Sequence, residues 1–338
     1  MKAISILFVL FLLIILGCSK DSNPIKSDEN SYSYELTFQF NTLDKPQSLC
    51  IDDEKQLIYI LSGQIHSTND NLVIQKFNFD GNLLATTVDF YNYSKGLYPR
   101  YSPIDITLDN EHNLCVLTIP YKKDENTEYW ESYDGFCIMI HDHNGEFLNE
   151  LDFSNIILDF NPEVLIFKDN LFYVTNSFSL FKISKSTWQL TEISLPKVLD
   201  NTFPANLISD LAINSNNNIW FVGQTTGDSL ATNYIAKMDS EGNQLFRFNS
   251  VNQIPILHAA MSQPAIQLDE KNIIYLTTFS CKSLEIYDSS GNLLKDYNLG
   301  KNINENVLPI DLEISNKKKI YILDNWNDKV YVLSKIKA

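Results

Sequence analysis

The stretch SPIDITLD, residues 102–109, returns late in the chain as LPIDLEIS, residues 308–315. Both copies alternate large apolar with small or polar side chains, which is the pattern of a β-strand with two unlike faces. Four further stretches align with them: PQSLCID from Pro46, PEVLIFK from Pro162, ISDLAIN from Ile208 and QPAIQLD from Gln263. The six starts lie 46 to 59 residues apart. This spacing is typical of a repeated unit of four short strands.

The rest of each unit supports the repeat. A second apolar strand follows every start, and the turns FDGNLL at 79, HNGEFL at 143, SEGNQL at 240 and SSGNLL at 289 predict an outer hairpin. Unit three has SKSTWQL and lacks the glycine. The sixth unit stops after its third strand, whereas SYELTFQF, residues 33–40, is a strand without a partner. Pairing the two would remove an exposed edge, so we predict an all-β, six-bladed β-propeller of four-stranded blades over residues 33–338.

These strand patterns resemble the NHL-like and TolB-like six-bladed propellers, particularly lipoproteins of Bacteroidota that are built from such repeats. The resemblance covers about residues 31–338. It implies the fold, but it implies little about function, because one fold carries many activities.

The first 17 residues, MKAISILFVLFLLIILG, have the layout of a secretory signal peptide and are too short for a membrane-spanning helix. The following ILGC resembles the lipobox of bacterial lipoproteins, which implies cleavage before Cys18, the residue that then carries the acyl chains. Residues 18–32 then form a polar tether. The resemblance to Gram-negative lipoproteins, in which the residue after the cysteine influences sorting, implies an outer-membrane location for a chain with Ser19, and the sequence leaves periplasmic or surface exposure open.

The formal net charge is −16, which disfavours binding to a nucleic acid backbone. Contact with the membrane is expected through the lipid alone. Cys50 and Cys115 lie in aliphatic runs, where buried thiols are usual, and Cys115 with Cys137 is the best candidate for a disulfide.

Aspartate occupies the third position of the first strand in units two, four and six, as Asp105, Asp210 and Asp311. Because first strands line the channel of a propeller, the three carboxylates are expected around its mouth. They could hold a divalent cation such as calcium or a polar ligand. The alternative is that each one only accepts backbone N–H bonds in a turn.

Aromatic side chains are dense in two loops expected at the same mouth. The candidates for binding are Tyr98, Arg100, Tyr121, Tyr129, Trp130 and Trp326, and His258 could face the channel. Such aromatics stack on sugars or anchor a protein partner, but they could equally pack on one another to hold the loops down.

No GxSxG elbow, HExxH helix, P-loop or dinucleotide-binding fingerprint is present in the sequence. We therefore expect a lipid-anchored module that binds a protein or glycan through its channel mouth, without an assigned catalytic residue. The alternative is a metal-dependent hydrolase or lyase of the six-bladed lactonase type, whose ligand set cannot be matched here residue by residue.

Overall fold

The computed structural model describes residues 32–43, 45–63, 72–90, 96–98, 100–123, 130–156, 162–176, 179–193, 207–226, 230–255, 264–278 and 282–337. Cys18, Tyr129, His258 and the leader and tether up to residue 31 lie outside the described residues. No helix in the described ranges has the length and hydropathy of a membrane span.

The strands form six separate antiparallel sheets, which we call blades 1 to 6 in chain order. β1 (Tyr32–Asn41) precedes blade 1. Blade 1 contains β2 (Pro46–Asp52), β3 (Leu57–Ser62), β4 (Val73–Asn78) and β5 (Leu83–Asp89). Blade 2 contains β6 (Arg100–Leu108), β7 (Leu114–Lys123), the added β8 (Trp130–Ser132), β9 (Phe136–His141) and β10 (Phe147–Phe153). Blade 3 contains β11 (Pro162–Lys168), β12 (Leu171–Asn176), β13 (Leu180–Ser184) and β14 (Leu190–Ile193).

Blade 4 contains β15 (Leu207–Ile213), β16 (Ile219–Thr226), β17 (Leu230–Met238) and β18 (Gln244–Pro255). Blade 5 contains β19 (Ala265–Leu268), β20 (Ile274–Thr278), β21 (Ser283–Tyr287) and β22 (Leu293–Asn298), and the helix α1 (Leu299–Ile303) follows it. Blade 6 contains β23 (Pro309–Ile314), β24 (Lys319–Asp324) and β25 (Lys329–Lys337). Its fourth strand is β1, which pairs with β25 from Tyr32 opposite Lys337 to Asn41 opposite Lys329.

The first strand of every blade contacts the first strands of both neighbouring blades, so the six sheets close into a ring around a channel. The predicted six-bladed β-propeller is confirmed, including its closure by the N-terminal strand. The turns between first and second strands and between third and fourth strands lie at one end, which we call the turn face. The loops between second and third strands and the connections between blades lie at the other, the mouth face.

The core consists of six apolar clusters, each between two neighbouring blades. Alternation along the second strand explains this arrangement. In β3, Tyr59 and Leu61 pack towards blade 2, whereas Ile58 and Ile60 pack towards blade 6. A blade therefore needs apolar residues on both faces, which is why these strands read as unbroken apolar runs.

Cys50, Cys115 and Cys137 are buried free thiols. Cys115 packs in the cluster between blades 2 and 3, whereas Cys137 packs in the cluster between blades 1 and 2. The two side chains thus lie on opposite faces of their sheet, and the disulfide suggested by the sequence does not form.

Glycine is required in the outer turn of blade 2. Gly145 has a φ of +88°, and a Cβ there would lie 2.1 Å from the carbonyl oxygen of Thr87 in blade 1. Blade 3, which lacks the glycine, places Trp188 in its outer turn with a positive φ of 57°. The missing glycine is therefore replaced by a residue in a strained conformation, and the turn itself is kept.

Candidate functional site

The inner wall of the channel is built from six first strands, each of which has one edge paired with its own blade and the other edge facing the channel. An unpaired strand edge presents backbone N–H groups that need acceptors. A β-bulge interrupts the pairing just before Asp105, Asp210 and Asp311, after Pro103, Ile208 and Pro309. Bulges of this kind change the direction of the next side chain.

Asp210 shows what this geometry does. One carboxylate oxygen accepts the N–H of Leu211, the next residue in blade 4, at 2.7 Å. The other oxygen accepts the N–H of Ile266, in the first strand of blade 5, also at 2.7 Å. A single side chain therefore joins two neighbouring blades through their backbones.

The other two aspartates make the same pair of bonds. Asp105 accepts from Ile106 at 2.8 Å and from Leu165 of blade 3 at 2.7 Å, and Asp311 accepts from Leu312 and from Leu49 of blade 1, both at 2.8 Å. The six donors are the equivalent residues of all six first strands. Three carboxylates with two oxygens each thus supply one acceptor for each of six N–H groups, which explains why aspartate occurs in alternate blades.

Ser48 links two of these carboxylates. Its hydroxyl donates to Asp105, and a hydrogen bond to Ser48 also lowers the pKa of Asp311. Blade 1 has serine at the position that aspartate occupies in blades 2, 4 and 6. The chain Asp105–Ser48–Asp311 therefore crosses blades 2, 1 and 6 on the channel wall.

The acids are held where ionisation is unfavourable. Burial raises the pKa of Asp105 to about 6 and, together with the charge of Asp105, raises the pKa of Asp311 to about 8. Burial also raises the pKa of Asp210 well above its usual value, and the charge of Asp311 adds to the effect. The three carboxyls are thus close enough for mutual repulsion to favour their protonated forms.

A fourth acid, Glu313, belongs to the same wall and was missed as a candidate in the sequence. Burial and then the charge of Asp311 raise its pKa to about 8, and the side-chain amide of Gln267 donates to it at 2.9 Å. Two polar residues at the same repeat position in consecutive blades were the available signal.

The three channel aspartates are also the residues predicted to hold a divalent cation. In the part of the chain that the structure describes, no three His, Cys, Asp or Glu side chains lie close enough to hold one metal ion. The three aspartates already direct both oxygens at backbone N–H groups. They do not fit a shared ligand cluster in this arrangement, and a bound calcium ion stays a prediction.

The aromatic candidates divide into packing residues and accessible residues. The Tyr98 hydroxyl donates to Asp152 at 2.8 Å, and its ring packs edge-on against Tyr133 at 4.7 Å between centroids. Tyr101, three residues later, is fully buried and donates to Glu150 at 2.8 Å. Tyr98 therefore helps to hold the entry to blade 2 in place.

Arg100 and Tyr121 lie opposite each other in the ladder of β6 and β7, at its mouth end. β7 continues to Lys123 and pairs there with β8, which begins at Trp130. Trp326 lies between β24 and β25 and is 57% exposed. Arg100, Tyr121 and Trp130 thus lie at the mouth face of blade 2 and Trp326 at the mouth face of blade 6, and their role in binding stays a prediction.

The sequence matches no protein-family model and no curated protein sequence. Solved structures do resemble it in fold. Virginiamycin B lyase from Staphylococcus aureus, in selenomethionine form, is 14% identical with a TM-score of 0.54, and the match covers 90% of this chain and 100% of that one.

A carbohydrate-active enzyme of family AA12 from Trichoderma reesei is 9% identical with a TM-score of 0.53, covering 93% of this chain and 100% of that one. The WD40 β-propeller domain of Doa1 is 14% identical with a TM-score of 0.50, covering 87% and 80%. At such identities these likenesses support the propeller fold alone.

Proposed function

We propose that this protein is a lipoprotein, acylated at Cys18 and held at the outer membrane, that binds a protein or glycan partner through its mouth face. The observation that carries the proposal is that the acids of the channel wall and the accessible residues of the mouth face are separate groups. The channel acids accept hydrogen bonds from backbone N–H groups, whereas Trp326, which is 57% exposed, and the β7–β8 ladder lie outside the channel wall.

The surface is suited to such binding because aromatic and arginine side chains dominate recognition of proteins and sugars. Tyr121 and Arg100 are half-buried on an extended ladder, which holds them in place before a partner arrives. Tyr129, at the end of the same loop, was singled out in the sequence for this role.

Capture of envelope components by immobilised protein tests the proposal. The double variant Y129A/W130A and the variant W326A should each weaken capture of the same component. W188A is the matched control, because Trp188 is an exposed tryptophan of the turn face. Equal capture by all variants would reject the mouth face, and competition by free oligosaccharides would separate a glycan from a protein partner.

The second candidate is a metal-dependent hydrolase or lyase. It is supported by the shared fold with a lyase, and it requires the channel aspartates to release the backbone N–H groups from which they accept in this structure. Elemental analysis of protein purified without chelator tests it directly. A stoichiometric divalent ion that is lost in the D311N variant would favour this candidate over the binding module.

A further inference from the structure

Four blades expose a leucine at the same unusual place in the outer strand. Leu84, Leu148, Leu245 and Leu294 are between 52% and 54% exposed. Each is the third residue after the glycine of its outer turn. Equal exposure in four independent blades indicates a fixed geometry at this position.

A β-bulge produces that geometry. In blade 1, Leu83 pairs with Phe77 and Ala85 pairs with Lys76, which leaves Leu84 without a partner in the ladder. The same shift leaves out Leu148, Leu245 and Leu294 in blades 2, 4 and 5. Bulges protect the edge strand of a sheet from pairing with other strands, but that task does not need a large apolar residue.

The remaining two blades complete the pattern. Blade 6 has the same bulge and carries Thr37 there, on the strand β1. Blade 3 has no shift between β13 and β14, and places Trp188, 38% exposed, in its outer turn instead. Five of the six outer strands or turns therefore present a large apolar side chain towards the rim of the turn face.

The chain before the propeller arrives at this same rim. β1 is the fourth strand of blade 6, so Tyr32 lies where the other blades have their outer turn. Residues 19–31 separate it from Cys18. Tyr32 follows Cys18 by 14 residues, so even a fully extended chain keeps the two within roughly 50 Å of each other.

We infer that the rim formed by Leu84, Leu148, Leu245, Leu294 and Trp188 rests on the lipid surface to which Cys18 is anchored. This inference rests on the proposed lipid anchor and adds an orientation to it: the turn face meets the membrane and the mouth face points away. Asp142, Asp239 and Asp288 lie in the turns before three of the leucines, which favours zwitterionic over anionic headgroups. Shallow insertion of apolar side chains into the headgroup region is the expected mode.

Two exposed tryptophans make the orientation measurable. Trp188 lies on the turn face and Trp326 on the mouth face. We would purify the full lipidated protein, confirm the acyl mass at Cys18, and reconstitute it in phosphatidylcholine vesicles with bromine atoms high on the acyl chains. W326F should keep the quenching of tryptophan fluorescence seen in the wild type, and W188F should lose it.

The leucines are tested by L84T/L148T/L245T/L294T, since Thr37 shows that threonine is accepted at this bulge. The variant should lose most of the Trp188 quenching, whereas the control L97T, at a leucine 70% exposed on the mouth face, should not. Acylated protein with equal or no quenching of the two tryptophans would overturn the docked orientation and leave the anchor standing. A Cys18 without lipid would overturn both.

Discussion

The boundaries between blades fall into two kinds along the channel wall. Between blades 2 and 3, 4 and 5, and 6 and 1, an aspartate carboxylate accepts hydrogen bonds from the backbones of both blades. From blade 3 to 4, the equivalent residue is Val164, which packs with Leu211 in an apolar cluster. The difference shows that the wall satisfies its inward N–H groups in pairs, so that every second blade can dispense with an acid.

The largest effect is expected when an aspartate is added to a blade that lacks one, because each inward N–H group already has its acceptor. V164D would place a carboxylate where Leu165 already donates to Asp105 and Leu211 already donates to Asp210. With both donors occupied, the new charge is buried without partners, and we expect a loss of about 4 kcal/mol in the free energy of unfolding. Urea denaturation measures it. The isosteric V164T should lose far less, and a V164D protein of wild-type stability would refute the pairing of donors.

Removal of a native aspartate should lower the free energy of unfolding somewhat less than V164D does. D210A leaves the N–H groups of Leu211 and Ile266 without their acceptor, and we expect about 3 kcal/mol of destabilisation. V164A is the matched control, with the same final residue at the same position of a blade without the bridge. It should lose about 1.5 kcal/mol for the methyl groups removed. Equal losses in thermal or urea unfolding would mean that the carboxylate bridge contributes nothing of its own.

The acids also predict how stability depends on pH. The folded pKa values of Asp311 and Glu313, about 8, lie above the usual values of about 4 in an unfolded chain. The folded protein therefore binds more protons than the unfolded protein between about pH 4 and pH 8, and its free energy of unfolding falls as pH rises through that window.

The variant E313Q isolates one contribution to this decline. It keeps the shape of the side chain but has no proton to lose, so the fall in unfolding free energy between pH 5 and pH 8 should shrink by on the order of 3 kcal/mol. E270Q, at an exposed glutamate of blade 5, should leave the decline unchanged. A wild-type protein that is more stable at pH 8 than at pH 5 would contradict the raised pKa values.

Much of this architecture was accessible from the sequence, because alternation and turn chemistry are local. The six first strands, the outer turns and the pairing of β1 with β25 all followed from periodicity and from the need to cover a strand edge. The alternation of Asp105, Asp210 and Asp311 was visible too. The cause of this alternation could not be predicted. The sequence shows how many carboxylates there are, but it does not show in which direction the backbone N–H groups of the first strands point.

The same limit explains what was missed at the wall. Asp105 was expected either to bind a ligand or to accept backbone N–H bonds in its own turn; it accepts the N–H of Ile106, the next residue, and it also reaches Leu165 in the next blade. That contact joins residues 60 positions apart in sequence. Glu313 became recognisable only through its contact with Gln267 across a blade boundary. Contacts between repeats depend on how two blades are set against each other, which no single repeat encodes.

Substitution of Ser48 should have the smallest effect on stability. Ser48 lies in blade 1, between the boundary with blade 6, which Asp311 bridges, and the boundary with blade 2, which no aspartate bridges in the same way. Its hydroxyl donates to Asp105 and bonds Asp311, so S48A removes a shared donor without creating an empty carboxylate site. We expect about 1 kcal/mol of destabilisation, which is the usual value of one hydrogen bond, and a larger effect at pH 8 than at pH 5. The sign follows because Ser48 lowers the pKa of both acids by stabilising their charged forms.

Thermal unfolding at the two pH values measures both quantities. S62A is the control, because Ser62 is buried at the mouth end of blade 1 without a hydrogen bond to either acid. If S48A were destabilised equally at both pH values, Ser48 would be a packing residue, and the three aspartates would act as independent bridges.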